Sequence, residues 1–395
     1  MFFWHLDPNA LLFFISLASC PPQGARLASA EVTIFLDSHI EVNHGWIEPL
    51  LARIKEDSKH VVMPIIDSID PDAFTYTAGG LDLVSFTWQL SQAGSSRKRE
   101  DTEPMASPAM AGGLFAINTS LFHKLGGYDP EMRLYGGEEM EISLRLWMCG
   151  ATLECLPCSR VGHVFRTGMY HHGQAYPVPG DVIIKNKLRA ARTWMPDEYY
   201  ELVRRSNSPL PPGKEIGDLS WGREIKERLH CKSFKWYLKN VFPEMFVPGD
   251  PDHIVAQGSI RNPATRACLD TLKGTGDGAK VGAYHCHENT GAVSTQSFII
   301  TKREEIRIAT GAFTQCLDRA NGDGLSIYGC HGGGGNQRFI YDLERGHLFE
   351  PDTMVCLEVV DEWVTNHVFK LRTAPCDKTG RNKAQEWRVD GRAIA

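Results

Sequence analysis

In the first part of the chain, apolar residues fall into two rhythms. Glu31 to Leu36 and Val61 to Ile66 are short apolar runs rich in β-branched residues, and both read as buried strands. Between them, Trp46 to Asp57 sets Ile47, Leu50, Leu51 and Ile54 at helical spacing, which predicts an amphipathic helix. A second amphipathic helix is predicted from Glu138 to Cys149, with Ile142, Leu146 and Cys149 on one face and Gly150 as its stop. In α/β sheets, ligands gather beyond the carboxyl ends of strands, so Asp37, just past the first apolar run, is placed for chemistry. Ser91 to Pro108 is polar, carries Gly, Ser and Pro, and is predicted to be an exposed loop. By composition, Val247 to Asp252 is a linker.

Beyond the linker the pattern repeats three times. Cys-Leu-Asp occurs at Cys268 to Asp270 and at Cys316 to Asp318, and Cys-Leu-Glu at Cys356 to Glu358. A second cysteine follows each, at Cys286, Cys330 and Cys376. Each repeat closes on Gln-x-aromatic, at Gln296/Phe298, Gln337/Phe339 and Gln385/Trp387. Repeat length alone also suits a propeller. Three units with these linked features resemble the ricin-type β-trefoil lectins, so residues 253–395 are expected to form an all-β trefoil. The resemblance implies the pairs Cys268–Cys286, Cys316–Cys330 and Cys356–Cys376, each typically worth about 2–4 kcal/mol. It also implies carbohydrate pockets built from the motif acid, an aromatic platform that stacks on the sugar, and polar residues before the Gln. The second repeat is the most complete, with Asp318, Tyr328, His331 and Asn336. The first has Asp270, Tyr284 and His287, but Ser294 and Thr295 replace Gly-Asn. The third, with Glu358 and Asp377, lacks the aromatic-Cys-His and ranks last.

Composition narrows the class. The 395 residues allow two or three domains, and 42% hydrophobic with 23% charged is ordinary for a globular protein. A net charge of -6, with only the short run Arg97-Lys98-Arg99, argues against nucleic acid as a partner. Eleven cysteines without a complementary pair of Cys-x-x-Cys motifs point to disulfides in an oxidising compartment. Leu11 to Ala18 is apolar but shorter than the about 20 residues of a spanning helix. No basic residue precedes it, unlike a typical signal peptide.

The chemistry concentrates in two places. Phe35-Leu36-Asp37-Ser38-His39 ends the first strand, and Ser159 to Arg166 (SRVGHVFR) follows Tyr135-Gly136-Gly137-Glu138 by some twenty residues. Asp-x-His alone says little, since turn Asp and surface His are common. With the second motif it resembles the polypeptide N-acetylgalactosaminyltransferases, the Golgi enzymes that start mucin-type O-glycosylation. That resemblance implies a GT-A-like α/β nucleotide-sugar transferase domain over residues 24–246, incomplete at its N-terminal side, after a non-family apolar segment at 1–23. It implies Asp37, His39 and His163 as ligands of Mn2+, and UDP-GalNAc as donor. Carboxylate and imidazole donors suit that ion. Arg166 would contact the diphosphate, Glu138 would lie near the sugar and acceptor hydroxyl, and Gly112, Gly113 and Tyr135 would line the donor side. Cys149 would pair with Cys231, while Cys158 would be free or pair with Cys20 or Cys155.

The chain departs from the family in three ways. Tyr135 and Glu139 stand where the family usually has Trp and Asn, so Glu139 adds a charge beside the acceptor region. The segment Thr167 to Pro177, with His171 and His172, differs from the family's donor-covering loop, although Gly168 and Gly173 fit a mobile lid. Only residues 23–30 precede the metal strand where the family has uracil-binding strands, so exposed strand edges and weak donor affinity are expected. The leading expectation is Mn2+-dependent, configuration-retaining transfer of GalNAc from UDP-GalNAc to Ser or Thr of polypeptides. The partners would be peptide or glycopeptide acceptors and GalNAc-type carbohydrate. Membrane association is expected for the family, with no clear anchor in this chain. The alternatives are an inactive homologue acting as a glycopeptide-binding lectin, or an incomplete gene model. Asn118-Thr119-Ser120 is a formal sequon in a segment expected to be packed.

Overall fold

Near-continuous burial along the apolar runs gives a sheet covered on both faces. The computed structural model describes residues 5–7, 10–11, 25, 27–80, 83–94, 102–165, 178–287, 295–310, 313–319, 324–365 and 368–393. The chain divides into two units, Met1–Met245 and Phe246–Ala395.

The first unit contains strands β1 (Val32–Phe35) and β2 (Ile40–Val42), helix α1 (Ile47–Glu56), strands β3 (His60–Ile69) and β4 (Phe115–Asn118), helix α2 (Glu138–Met148), strand β5 (Thr152–Val164) and helix α3 (Gly180–Trp194). The sheet order is β1–β4–β3–β5–β2. β4 runs antiparallel to β1 and β3, whereas β5 is parallel to β3 and antiparallel to β2. Phe35, Val61, Met63, Phe115 and Ile117 pack on one face with Ile142 and Leu146 of α2. Ile34, Leu36, Val62 and Ala116 pack on the other with Leu50 and Ile54 of α1. Phe35 and Phe115, paired across β1 and β4, stack at 4.5 Å between centroids. β3 is longer than the apolar run and contains Pro64. The register of β5 shifts between Leu156 and Arg160, opposite that proline, which has no N–H to give to the ladder.

Two expectations change. α2 is not amphipathic: Glu139 to Leu146 and Met148 are all buried. Its outer face lies under α3, so its charges are satisfied internally. Arg145 donates to both Glu141 oxygens at 2.9 and 2.7 Å and to the Leu125 carbonyl, and the Trp194 indole donates to Glu141 at 2.8 Å. The Ser91–Pro108 segment is not wholly a loop. Gln92–Gly94 pairs with Val84–Phe86, Met105–Ala106 pairs with β5, and Ser107 is buried. Arg97 to Arg99 lie outside the described residues, as do most of the apolar N-terminal stretch and Cys20.

In the second unit the three repeats lie on β6 (Ala267–Asp270), β7 (Gln315–Asp318) and β8 (Val355–Thr365). Their leucines, Leu269, Leu317 and Leu357, meet Phe298, Phe339 and Trp387 in one core. Register repeats too: Cys268 faces Tyr284, Cys316 faces Tyr328 and Cys356 faces Ala374. Two residues further on, Cys286, Cys330 and Cys376 close disulfides to Cys268, Cys316 and Cys356. Cys149 and Cys231 form a fourth. Cys155 is buried and Cys158 exposed, and they are not bonded to each other. This is a GT-A-like transferase fold followed by a ricin-type β-trefoil. No described helix is long and apolar enough to cross a membrane.

Candidate functional site

The site forms where β1 stops. The strand ends at Phe35, so Asp37 and His39 leave its regular alternation and turn toward β2. β2 pairs antiparallel with β5, setting Ile40 opposite His163, and the Val164 amide donates to the His39 carbonyl at 3.0 Å. One ligand atom from each of Asp37, His39 and His163 then lies within 4.8 Å of the others. His163 Nε2 is 3.5 Å from Asp37 Oδ2, and the two imidazole rings stand edge to face at 4.5 Å. Among the described residues, the buried His163 Nδ1 has no hydrogen-bond partner. An unpaired buried nitrogen is costly. One carboxylate and two imidazoles form a donor set that suits a borderline divalent cation.

Gly112 and Gly113 form the floor. Both have positive φ, +82° and +74°. A Cβ on Gly113 would lie 2.7 Å from Asp37 Oδ2, and one on Gly112 would lie 3.3 Å from the Glu139 Cβ. This turn therefore touches the carboxylate of the triad and the first turn of α2.

At that turn Glu138 and Glu139 are adjacent and mostly enclosed. Burial first, and the neighbouring Glu139 charge second, push the Glu138 carboxyl up to about 8. Glu138 Oε2 is buried without a hydrogen-bond partner among the described residues. Burial also raises Glu139, whose Oε2 accepts the Gly137 amide at 2.8 Å. Lys187 on α3, itself shifted down by burial, interacts with Glu139 and donates to Ser91 Oγ at 2.7 Å. Tyr135 is partly exposed, at 38%.

A further network behind the site was not singled out in the sequence. Asp67, fully buried in β3, accepts from Arg160 at both oxygens, from the Tyr76 hydroxyl and from the Gly79 amide. Arg160 also donates to the Gly79 carbonyl at 2.8 Å. Gly162 lies opposite Asp67 in register, so this network fixes the part of β5 that presents His163. The available signal was a charged residue directly after a continuous apolar run and before Ile69, which on a buried strand requires a partner. Arg166 and the lid segment, with His171 and His172, lie outside the described residues.

In the trefoil each motif acid is held alike. Gln296, Gln337 and Gln385 donate to Asp270, Asp318 and Glu358, and accept from the amides of His287, His331 and Asp377. The second acid oxygen differs. Asp318 Oδ1 accepts Asn336 at 2.7 Å, with His331 Nε2 3.4 Å from the Asn336 oxygen. Asp270 Oδ1 caps the Leu272 amide at 2.7 Å, and Tyr284 and His287 are edge to face at 6.1 Å. Glu358 Oε1 is covered by Arg372, and Ala374 stands in register where the other repeats have Tyr284 and Tyr328.

Sequence comparisons agree with this division. Residues 22–125 match the family described as glycosyl transferase family 2, and residues 98–172 match the N-terminal domain of galactosyltransferase. Residues 256–392 match the ricin-type beta-trefoil lectin domain. Polypeptide N-acetylgalactosaminyltransferase 5 of Caenorhabditis elegans is 39% identical over 348 residues, covering 85% of this chain and 53% of that protein. Polypeptide N-acetylgalactosaminyltransferase 6 of Homo sapiens is 40% identical over 336 residues, covering 81% and 52%. The chain thus spans about half the length of the curated relatives it matches. The crystal structure of GalNAc-T7 with UDP, GalNAc and Mn2+ aligns at a TM-score of 0.54 and 29% identity, over 93% of this chain and 67% of that one.

Proposed function

Since the chain belongs, over the part it spans, to the polypeptide N-acetylgalactosaminyltransferase family, we propose that its first unit transfers GalNAc from UDP-GalNAc to Ser or Thr hydroxyls of polypeptides. The bond from the sugar's anomeric carbon to the diphosphate breaks, one to the hydroxyl oxygen forms with retained configuration, and the hydroxyl proton passes to the departing diphosphate oxygen. The observation that carries this reading is the convergence of Asp37, His39 and His163 beyond β1. Their donor set and the unpartnered His163 Nδ1 fit Mn2+. When bound, Mn2+ supplies a Lewis acid for the charge on the departing diphosphate. The chain's own residues do the rest. Gly113 leaves room for the Asp37 carboxylate, and Glu138, in the first turn of α2, serves the acceptor side. Arg166 pairs with the diphosphate, and Gly112 and Tyr135 border the donor. Peptide acceptors and GalNAc-bearing glycopeptides are the partners. Four disulfides accord with the oxidising Golgi lumen.

A second reading is favoured by the second trefoil repeat, where Asp318, Asn336 and His331 form a hydrogen-bonded set and Tyr328 pairs in register with Cys316. The protein then binds GalNAc-bearing glycopeptides without transferring sugar. Transfer from UDP-GalNAc to a mixed Thr/Ser peptide library, with Mn2+ and an Asp37→Ala control, separates the two. Transfer abolished in the control supports the enzyme. No transfer, from protein that still binds GalNAc through Asp318, leaves the lectin.

A further inference from the structure

The first turn of α2 carries two consecutive carboxyl groups, Glu138 and Glu139, and their surroundings differ. Glu139 accepts the Gly137 amide at 2.8 Å, is bonded by the Gln92 side chain and faces the Lys187 ammonium of α3. Lys187 is fixed in turn by Ser91. Among the described residues Glu138 has no basic neighbour of this kind: its carboxyl accepts only the backbone amides of Gly136 and Glu138, and its Oε2 is buried with no partner. The remaining titratable groups do not change the contrast. Tyr128, in the loop leading toward α2, is partly buried and senses Glu138 and Asp37, while Glu141 and Arg145 on α2 are paired with each other.

Two carboxylates in one enclosed site cannot both ionise readily, so the pair retains a proton. The cation and the donated hydrogen bonds select where it sits. We propose that Glu139, held by Gly137, Gln92 and Lys187, is the ionised member and a positioning residue that keeps Glu138 in its neutral, hydrogen-bond-donating form at neutral pH. This rests on the reading that Glu138 faces the acceptor. A neutral Glu138 donates its O–H there and adds no negative charge to repel a diphosphate donor. Glu139 thus changes the protonation of the group that meets the substrates.

The proton is observable without catalysis. The full chain, without donor or peptide, is titrated by infrared spectroscopy using the C=O band of protonated carboxyl groups. In the wild type a band persists to neutral pH and disappears with a midpoint near about 8. Glu138→Gln removes that band. Glu139→Asn moves the midpoint down by about one pH unit or more, the scale of a like-charge neighbour. Three results overturn the proposal: no protonated carboxyl above about pH 6 in the wild type, a band that survives Glu138→Gln, or a midpoint unmoved in Glu139→Asn. Where Glu139→Asn fails to fold, Glu139→Gln, which keeps the side-chain length, takes its place in the titration. A parallel pH profile of GalNAc transfer shifts its alkaline limb by the same amount in Glu139→Asn. Absence of transfer from every protein counts against the transferase reading alone, and the infrared titration still decides the proton.

Discussion

Replacing Arg160 by Met strips the cation from a carboxylate with 0% exposure. Asp67 then keeps only the Tyr76 hydroxyl and the Gly79 amide, the latter at 2.6 Å. Removing one partner of a buried ion pair costs about 3–5 kcal/mol. The Arg160 side chain is 29% exposed, which places the expected loss at the lower end, about 3 kcal/mol. Asp67→Asn removes the charge but leaves the Arg160 guanidinium access to water, so it is expected to cost about 1–3 kcal/mol. Urea unfolding of the wild type, both single variants and the double variant closes a cycle. The expected coupling is about 1–3 kcal/mol, and additivity within about 0.5 kcal/mol refutes the argument. Burial pushes the Asp67 carboxyl up, but the bonds from Arg160, Tyr76 and Gly79 outweigh it and hold the group below the usual range. A carboxyl depressed in the folded state stabilises fully above its unfolded pKa of about 3.9 and loses that contribution as pH falls through its folded value. With Arg160 gone that burial loses its main counterweight, so the penalty of Arg160→Met is full at neutral pH and shrinks as pH falls through the variant's higher folded value toward the depressed value of the wild type. Because Gly162 pairs with Asp67 next to His163, Mn2+ affinity measured by electron paramagnetic resonance should fall in Arg160→Met as well.

His163→Ala is expected to weaken Mn2+ binding by more than the roughly 10–100-fold that loss of an outer-shell partner causes, and unchanged affinity in isothermal titration would exclude it as a ligand. Gly113→Ala strains a residue at φ +74° and drives a methyl onto Asp37, so thermal melts should show a loss of about 1–3 kcal/mol together with weaker Mn2+ binding. In the trefoil, Asp318→Asn should abolish GalNAc binding, whereas Glu358→Gln should leave it intact because Arg372 already covers that acid. Equal losses from both variants in a glycan titration would contradict the ranking of the pockets.

Much of this architecture was legible from spacing. Short apolar, β-branched runs marked β1 and β3, a helical rhythm marked α1, and the threefold Cys-Leu-acid and Gln-x-aromatic pattern marked the trefoil. Asp37, His39 and His163 were singled out from motifs, and the structure brings them together because β2 returns antiparallel to β5. The misreadings share one cause, which is tertiary cover. Polar positions on α2 suggested a solvated face, yet α3 overlies it, and Glu141 finds Arg145 and Trp194 there. Residues 105–108 looked like loop until β5 and Trp147 supplied partners. Lys187 and Arg160 gave no local sign of their roles, because each meets its acid only across the fold, at Glu139 and Asp67.

The glutamine brace of the trefoil separates folding from recognition. In every repeat one oxygen of the motif acid and a neighbouring backbone amide are committed to the same Gln, so the strand ends are tied together whether or not a sugar arrives. Only the other oxygen is left to specify a ligand. It points to Asn336 in one repeat, a turn amide in another and Arg372 in the third. A lineage built this way can retire or retune one pocket at a time without endangering the scaffold, and a repeat whose acid is already capped from within serves as a structural pillar.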